Sequence, residues 1–197
     1  MNEYAALSRL IENLIRFGTV AQVDHGSLKD KRPPRLRVQS GELLTGWLPW
    51  VAFRAGTSTE WDPPTVGEQV VVFSPSGQTA QGIALTGLVS EQYPANADRA
   101  GLHRRTYADG AVIEYDSIAH RLRAILPEAG ITDLTSPGGI NIIGPINHQG
   151  DYTQTGNQNV TGTVSVSKDV IAAGISLVKH PHGNVEPGSG QSGAPLK

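Results

Sequence analysis

The chain has 197 residues, a formal net charge of −2, 38% hydrophobic and 6% aromatic residues, 23 Gly, 13 Pro and no Cys. That length can bury a core, but few aromatics and many turn formers point to turn-rich β structure or to a fold stabilised by association. The missing cysteine excludes disulfides, thiolate nucleophiles and Cys-ligated zinc, and the near-neutral charge gives no global attraction to nucleic acid or anionic membrane. No run approaches the ~18 apolar residues of a spanning helix. Glu3, Arg9 and Glu12 interrupt what would be a signal peptide's apolar run, so assembly in a cytoplasm is expected.

Residues 2–17 predict a helix, with Leu7, Leu10, Ile11, Leu14 and Ile15 on one stripe. Glu3 in the first turn, Arg16 in the last and Gly18 as a left-handed stop fit its ends. The stripe would cover its own domain or attach a partner.

From residue 19 to about 92 the pattern changes to short strands: 19–24, 35–39, 43–48, 69–74 and 82–88, separated by Gly/Pro/Asp/Ser turns. Five short strands in about 75 residues suit a small barrel such as the OB-fold. Trp47, Trp50 and Trp61 with Phe53 and Phe73 are expected to supply much of its aromatic core. Residues 93–100 lack periodicity and read as a linker. Asp109-Gly110 predicts a tight hairpin over 104–115, continued by a third strand at 120–126.

Residues 138–170 are almost all Gly, Asn, Thr, Gln, Ser, Val and Ile, with alternation such as Val160-Thr161-Gly162-Thr163-Val164-Ser165-Val166-Ser167. Such thin strands cannot enclose a core from one chain. Stacked around a shared axis with copies of themselves they can, as in solenoids and interlaced fibres.

The run ends in His180-Pro181-His182. In an extended backbone both imidazoles face the same side, because side chains alternate with a period of two. Two nitrogens hold a metal poorly, but three copies on a three-fold axis would supply six. An octahedral nitrogen set suits Fe(II) or Ni(II) better than Zn(II), which usually stops at four ligands. Exposed histidines near a terminus are common, and the placement after a fibre-like run is what raises this pair above them.

The basic run Lys29, Lys31, Arg32, Arg35 and Arg37 lies where an OB-fold has a loop and a strand. Single-stranded nucleic-acid binding is therefore the alternative function, since such sites combine a positive groove with stacking rings. A solvated loop around Pro33-Pro34 is the preferred reading. Arg99, His103, Arg104 and Arg105 form a second basic group, expected at an inter-chain or inter-domain contact. Asp24-His25 would point to opposite faces. Glu114 and Asp116 share a face without any sign of a raised pKa, and no phosphate-cradling glycine loop is present, so no enzymatic activity is expected.

The order of these features resembles the baseplate assembly protein V family, the central spikes of contractile phage tails and related R-type bacteriocins. The local markers are Val66-Gly67-Glu68-Gln69-Val70, Ser74-Pro75-Ser76-Gly77, Gln81-Gly82 and Tyr107-Ala108-Asp109-Gly110. They continue with Ile113-Glu114-Tyr115-Asp116, Gly174-Ile175-Ser176-Leu177, and His180-Pro181-His182-Gly183 followed by Pro187-Gly188. Pro181 stands where that motif often has Thr. The resemblance implies an all-β homotrimer with a short N-terminal helix (1–17), an OB-fold barrel (18–95), a linker and intertwined triple-stranded β-helix (96–176) and a metal-capped tip (177–197). One iron ion, Fe(II), per trimer is implied, held by His180 and His182 of each chain. The implied partners are the baseplate hub or tail-tube proteins, met by the barrel and helix, and the host outer membrane, with no nucleic acid. The implied location is the virion baseplate or the tip of a bacteriocin particle.

Overall fold

The computed structural model describes residues 3–181 and 188. The chain divides into two compact units, Met1–Thr135 and Ser136–Lys197.

The first unit opens with helix α1, Glu3–Leu14, and passes directly into strand β1, Ile15–Asp24. The helix is shorter than its apolar stripe predicts. Ile15, Arg16, Phe17 and Gly18 pair antiparallel with Phe73, Val72, Val71 and Val70, and this ladder overrides the helical periodicity. Gly18 is therefore a strand residue rather than a helix stop. A Cβ there would lie 2.5 Å from both the Gln39 carbonyl oxygen and Val38 Cγ1, so glycine is needed for the close approach of neighbouring strands.

Strands β2 (Arg35–Ser40), β3 (Leu43–Leu44), β4 (Gln69–Phe73) and β5 (Ile83–Leu88) complete an antiparallel sheet in the order β3-β2-β1-β4-β5. Two single-residue bridges draw its edges together. Leu48 bridges Leu36 of β2, and two residues later Trp50 bridges Ala84 of β5. Backbone bonds from Val51 N–H to Ala84 and from Ala84 N–H to Pro49 carry the closure. The five predicted strand positions are thus present, with the third shortened to a ladder of two residues and an isolated bridge.

The barrel interior is aliphatic. Val20, Leu36, Val38, Leu48, Val70, Val72 and Ala84 form the buried cluster, with Val23 and Trp50 packed against it. Alternation in β2 buries Leu36, Val38 and Ser40 and turns Arg35, Arg37 and Gln39 outward. The expected aromatic core is absent: Trp47, Trp61, Phe53 and Phe73 are exposed, Phe53 at 92%. So narrow an interior is filled by Val and Leu, and the rings lie outside, where Trp61 packs on Trp50 at 6.1 Å between centroids.

A second sheet follows within the same unit. Strands β6 (Leu102–Thr106), β7 (Val112–Asp116) and β8 (Arg121–Ile125) form an antiparallel meander in that order. Gly110, at φ +88°, supplies the turn that Asp109-Gly110 predicts, and the Asp109 carboxylate accepts the Ala111 N–H at 3.0 Å.

The second unit carries a six-residue repeat. Gly144, Gly150, Gly156 and Gly162 all adopt positive φ, from +111° to +137°, and Gly174 falls on the same count with Lys168 at the one departure. Even-numbered positions hold Ile140, Ile142, Ile146, Tyr152, Val160, Val164, Val166 and Val170. Odd-numbered ones hold mainly Asn, Thr, Gln and Ser. The even-numbered apolar side chains are all exposed, the least so being Val170 at 42%. No strand ladder occurs between 136 and 170 among the described residues. Two short strands, β9 (Ile171–Ala172) and β10 (Ile175–Ser176), pair as a hairpin at the far end.

Candidate functional site

The hairpin β9–β10 turns through Ala173 and Gly174, at φ +50° and +82°, the pair of left-handed residues that a two-residue turn requires. Asp169 precedes it and Ser176 closes it. The Ser176 hydroxyl donates to Asp169 Oδ2 at 2.6 Å and accepts the Lys179 N–H at 2.8 Å, while Asp169 Oδ1 accepts the Val178 N–H at 3.2 Å. Leu177 N–H donates to the Val170 carbonyl at 2.9 Å. The Asp169 carboxyl is held below its ordinary range, chiefly by the Ser176 hydroxyl and further by the backbone N–H groups around it.

This knot delivers His180. Its backbone N–H and its ring Nδ1 both approach the Ser176 carbonyl oxygen, at 3.2 and 2.7 Å. A carbonyl only accepts, so Nδ1 carries a proton, and in the neutral ring the lone pair lies on Nε2. That is the state in which histidine ligates a metal, with the far ring nitrogen donating to a carbonyl or carboxylate. The donor chemistry therefore fits a metal ligated through Nε2. The second predicted ligand, His182, lies outside the described residues, and among the described residues no three His, Cys, Asp or Glu side chains of one chain converge as a metal site.

Residues 16–88 match the model of the Type VI secretion system/phage-baseplate injector OB domain, and residues 174–195 match the GpV Apex motif. The chain is also 29% identical, over 212 aligned positions, to the spike protein of Escherichia phage P2, with 96% of each chain covered. The chain is thus similar to a phage spike protein over nearly its whole length, and to the injector OB domain and the apex motif over two separate segments. The two matches fall on the barrel and on the C-terminal segment, and the second spans both His180 and His182.

The other sequence candidates are largely paired among themselves. In the first basic run Arg32 pairs with Asp24, and Arg37 donates to the Thr45 carbonyl at 2.8 Å while lying over the Trp47 ring. Lys29 and Lys31 sit in the turn between β1 and β2, Lys31 at φ +52°. These cations are thus dispersed over a turn and a strand face. The Asp24 carboxyl is held below its usual range by the Gly26 N–H and then by Arg32, and neighbouring His25 packs edge-on against Trp61.

The second basic group, expected at a contact between chains or domains, pairs with acids of the first unit, Arg105 reaching from the meander to the segment before it. Arg99 pairs with Asp116 at 2.5 Å, and Arg104 with Glu114 at 2.8 Å. Arg105 reaches Asp62 at 2.5 Å and Glu60 at 3.9 Å. Glu114, 5% exposed, also takes Arg123 at 3.0 Å, so one carboxylate ties β6, β7 and β8 together. Its pKa is lowered, first by the Arg104 hydrogen bond. Asp116 is held far below the carboxylate range by Arg99 and by the Ala119 and Ile118 N–H groups. All these shifts run opposite to the raised pKa of a general acid.

Two features escaped the sequence reading. The glycines at 144, 150, 156 and 162 recur every six residues, and counting their spacing would have found the repeat. The Asp169–Ser176 link has no motif of its own, because the hairpin turn alone brings the two residues together.

Proposed function

We propose that the chain is the central spike of a contractile tail, acting as a homotrimeric needle that penetrates the host outer membrane mechanically and without catalysis. The observation that carries this reading is a barrel module and an apex motif at opposite ends of a six-residue repeat whose apolar face its own chain leaves exposed. Three such faces turned toward a common axis would bury one another as a triple-stranded β-helix. Backbone hydrogen bonds would then cross between chains along the needle, so bending must break many at once.

At the tip, His180 and His182 of three chains would supply six neutral imidazoles to one Fe(II) ion. When bound, such an ion ties three chain ends together where fraying would otherwise start. At the other end, Leu7, Ile11 and Leu14 of α1 are exposed and would meet the baseplate hub or tail tube. A groove of about 590 Å³ lined by Leu28, Pro33, Pro34, Pro49, Trp50 and Trp61 adds a second apolar face on the barrel for such docking.

The test is mass in solution together with metal content, on full-length, tag-free protein purified aerobically without chelator. Three chains and one iron ion are expected. A stable folded monomer at micromolar concentration would sink the needle, and a trimer without transition metal would remove the ion alone.

A further inference from the structure

We propose that Asp169 and Ser176 form a brace that presets the His180 ring for metal ligation through Nε2. The inference rests on the metal-capped tip proposed above and adds two positioning residues to it. Neither touches the metal. They act through the Ser176 backbone carbonyl.

Ser176 is the hub of four hydrogen bonds, two through its hydroxyl and two through its carbonyl. The carbonyl receives both the His180 N–H and the ring Nδ1–H, so ring orientation follows wherever Ser176 is held. Holding it is the work of Asp169, whose two oxygens clamp the Ser176 hydroxyl on one side and the Val178 N–H on the other. The same hydroxyl accepts the Lys179 N–H and keeps the chain between Ser176 and His180 folded back. An alanine at 176 would keep the carbonyl but leave Asp169 and the Lys179 N–H without their shared partner. An asparagine at 169 puts an NH2 donor where one of the two acceptor oxygens stands, so the hydroxyl and the Val178 N–H can no longer each donate to an oxygen of its own.

This arrangement matters for ligation because free imidazole samples both tautomers and many ring angles. A ring already fixed with its proton on Nδ1 has no tautomer or rotamer to select when the metal arrives. Removing such outer supports typically costs metal sites about 10- to 100-fold in affinity.

The test compares full-length wild type with Ser176→Ala, Ser176→Thr and Asp169→Asn, each checked for unchanged mass in solution and far-UV spectrum. Proteins are loaded with Fe(II), and iron loss to a competing chelator is timed. Ser176→Ala and Asp169→Asn are expected to lose iron on the order of 10- to 100-fold faster, and Ser176→Thr, which restores the hydroxyl, at close to the wild-type rate. In parallel, ¹⁵N spectra of metal-free protein, assigned with His180→Ala, read the His180 tautomer. It is expected to be Nδ1–H in wild type and Ser176→Thr, and mixed in the other two. Equal rates of iron loss in all four proteins would overturn the brace while leaving the metal site standing. Should wild type hold no iron, the metal reading falls. The tautomer then decides the brace, which is overturned if the Ser176→Ala ring matches wild type.

Discussion

Replacing Gly18 with alanine is the sharpest probe of how the barrel is built. Nothing in the backbone forbids the change, because Gly18 is not among the positive-φ residues. The obstacle is space. The new Cβ would stand 2.5 Å from the Gln39 carbonyl oxygen and from Val38 Cγ1, where ordinary contacts lie at 3.4–4 Å. Gln39 is backbone in β2, paired to β1 next door, and Val38 belongs to the buried cluster, so neither can swing aside. Relief requires the two strands to separate by close to 1 Å at the centre of the sheet. Overpacking of this kind costs about 1–3 kcal/mol, and a rigid backbone neighbour places it at the upper end, about 3 kcal/mol. With a urea slope of roughly 1.5 kcal/mol/M for a small domain, the midpoint should fall by about 2 M. The assay is selective, since all three tryptophans, at 47, 50 and 61, lie in the barrel and their fluorescence reports its unfolding. Gly46→Ala is the control, with no neighbour within 4 Å and no positive φ, and should be neutral or up to about 1 kcal/mol more stable. If Gly18→Ala tracked Gly46→Ala to within about 1 kcal/mol, the close approach of β1 and β2 would be wrong.

Gly156→Ala forces a side chain onto φ +111° within the six-residue repeat, at roughly 1–3 kcal/mol per chain; the far-UV transition should fall while tryptophan fluorescence stays put, and a shift in both would refute separate units. Asp116→Asn tests the meander's ion pairs through pH. Its folded pKa is depressed, so the stability it contributes is present above the unfolded carboxylate value of ~3.9 and is lost as pH falls below it. The variant should melt below wild type at pH 7, and the gap should close on acidification toward pH 2; a gap constant with pH would count against the pairing. His180→Ala with His182→Ala should abolish metal binding and leave the three-chain mass unchanged, as read by elemental analysis and sedimentation; dissociation to monomers would mean that the ion assembles the needle.

The barrel was legible because its signals are local. Turn residues punctuate the strands, and alternation at Leu36, Val38 and Ser40 announces a two-sided strand. What could not be read was anything set by a partner strand. The residues from Ile15 to Phe17 carry a helical stripe, yet β4 claims them, and Gly18 reads as a cap until Gln39 is placed against it. The aromatic core failed for a related reason. Hydrophobicity marks Trp47, Phe53 and Trp61 as inward candidates, but the width of a five-stranded interior admits Val and Leu, and only the closed sheet reveals that width. The partners of the second basic group likewise appeared only with the fold: Asp116 and Glu114 of the meander take Arg99 and Arg104, and Asp62, in the segment before it, takes Arg105.

The fibre poses the opposite problem, because its sequence says more than one chain can display. A Val/Thr alternation alone fits any half-buried strand. Glycine every sixth residue adds a corner at fixed intervals, and the φ values at Gly144, Gly150, Gly156 and Gly162 show the backbone turning there in one repeated sense. Between corners the even positions are mainly apolar and the odd ones mainly polar, Ile143 being an apolar exception, so a single face persists through each bend. A lone chain gains nothing from that persistence, since its Ile and Val side chains remain in water. At about 25 cal/mol per Å² of apolar surface removed from water, such a face is stabilised only when other chains cover it. The register also fixes what must meet what. His148, Gln154, Gln158 and Lys168 share the even face with the Ile and Val residues, so chains that pair in register bring like polar groups together at those levels. Slippage by one repeat would set Gln154 and Gln158 against Val160 and Val164, leaving buried polar atoms unmatched at a cost of about 1–3 kcal/mol apiece. In the proposed trimer the polar members of an apolar column would thus oppose slippage, and the three chain ends would arrive level with one another, as a shared ion requires.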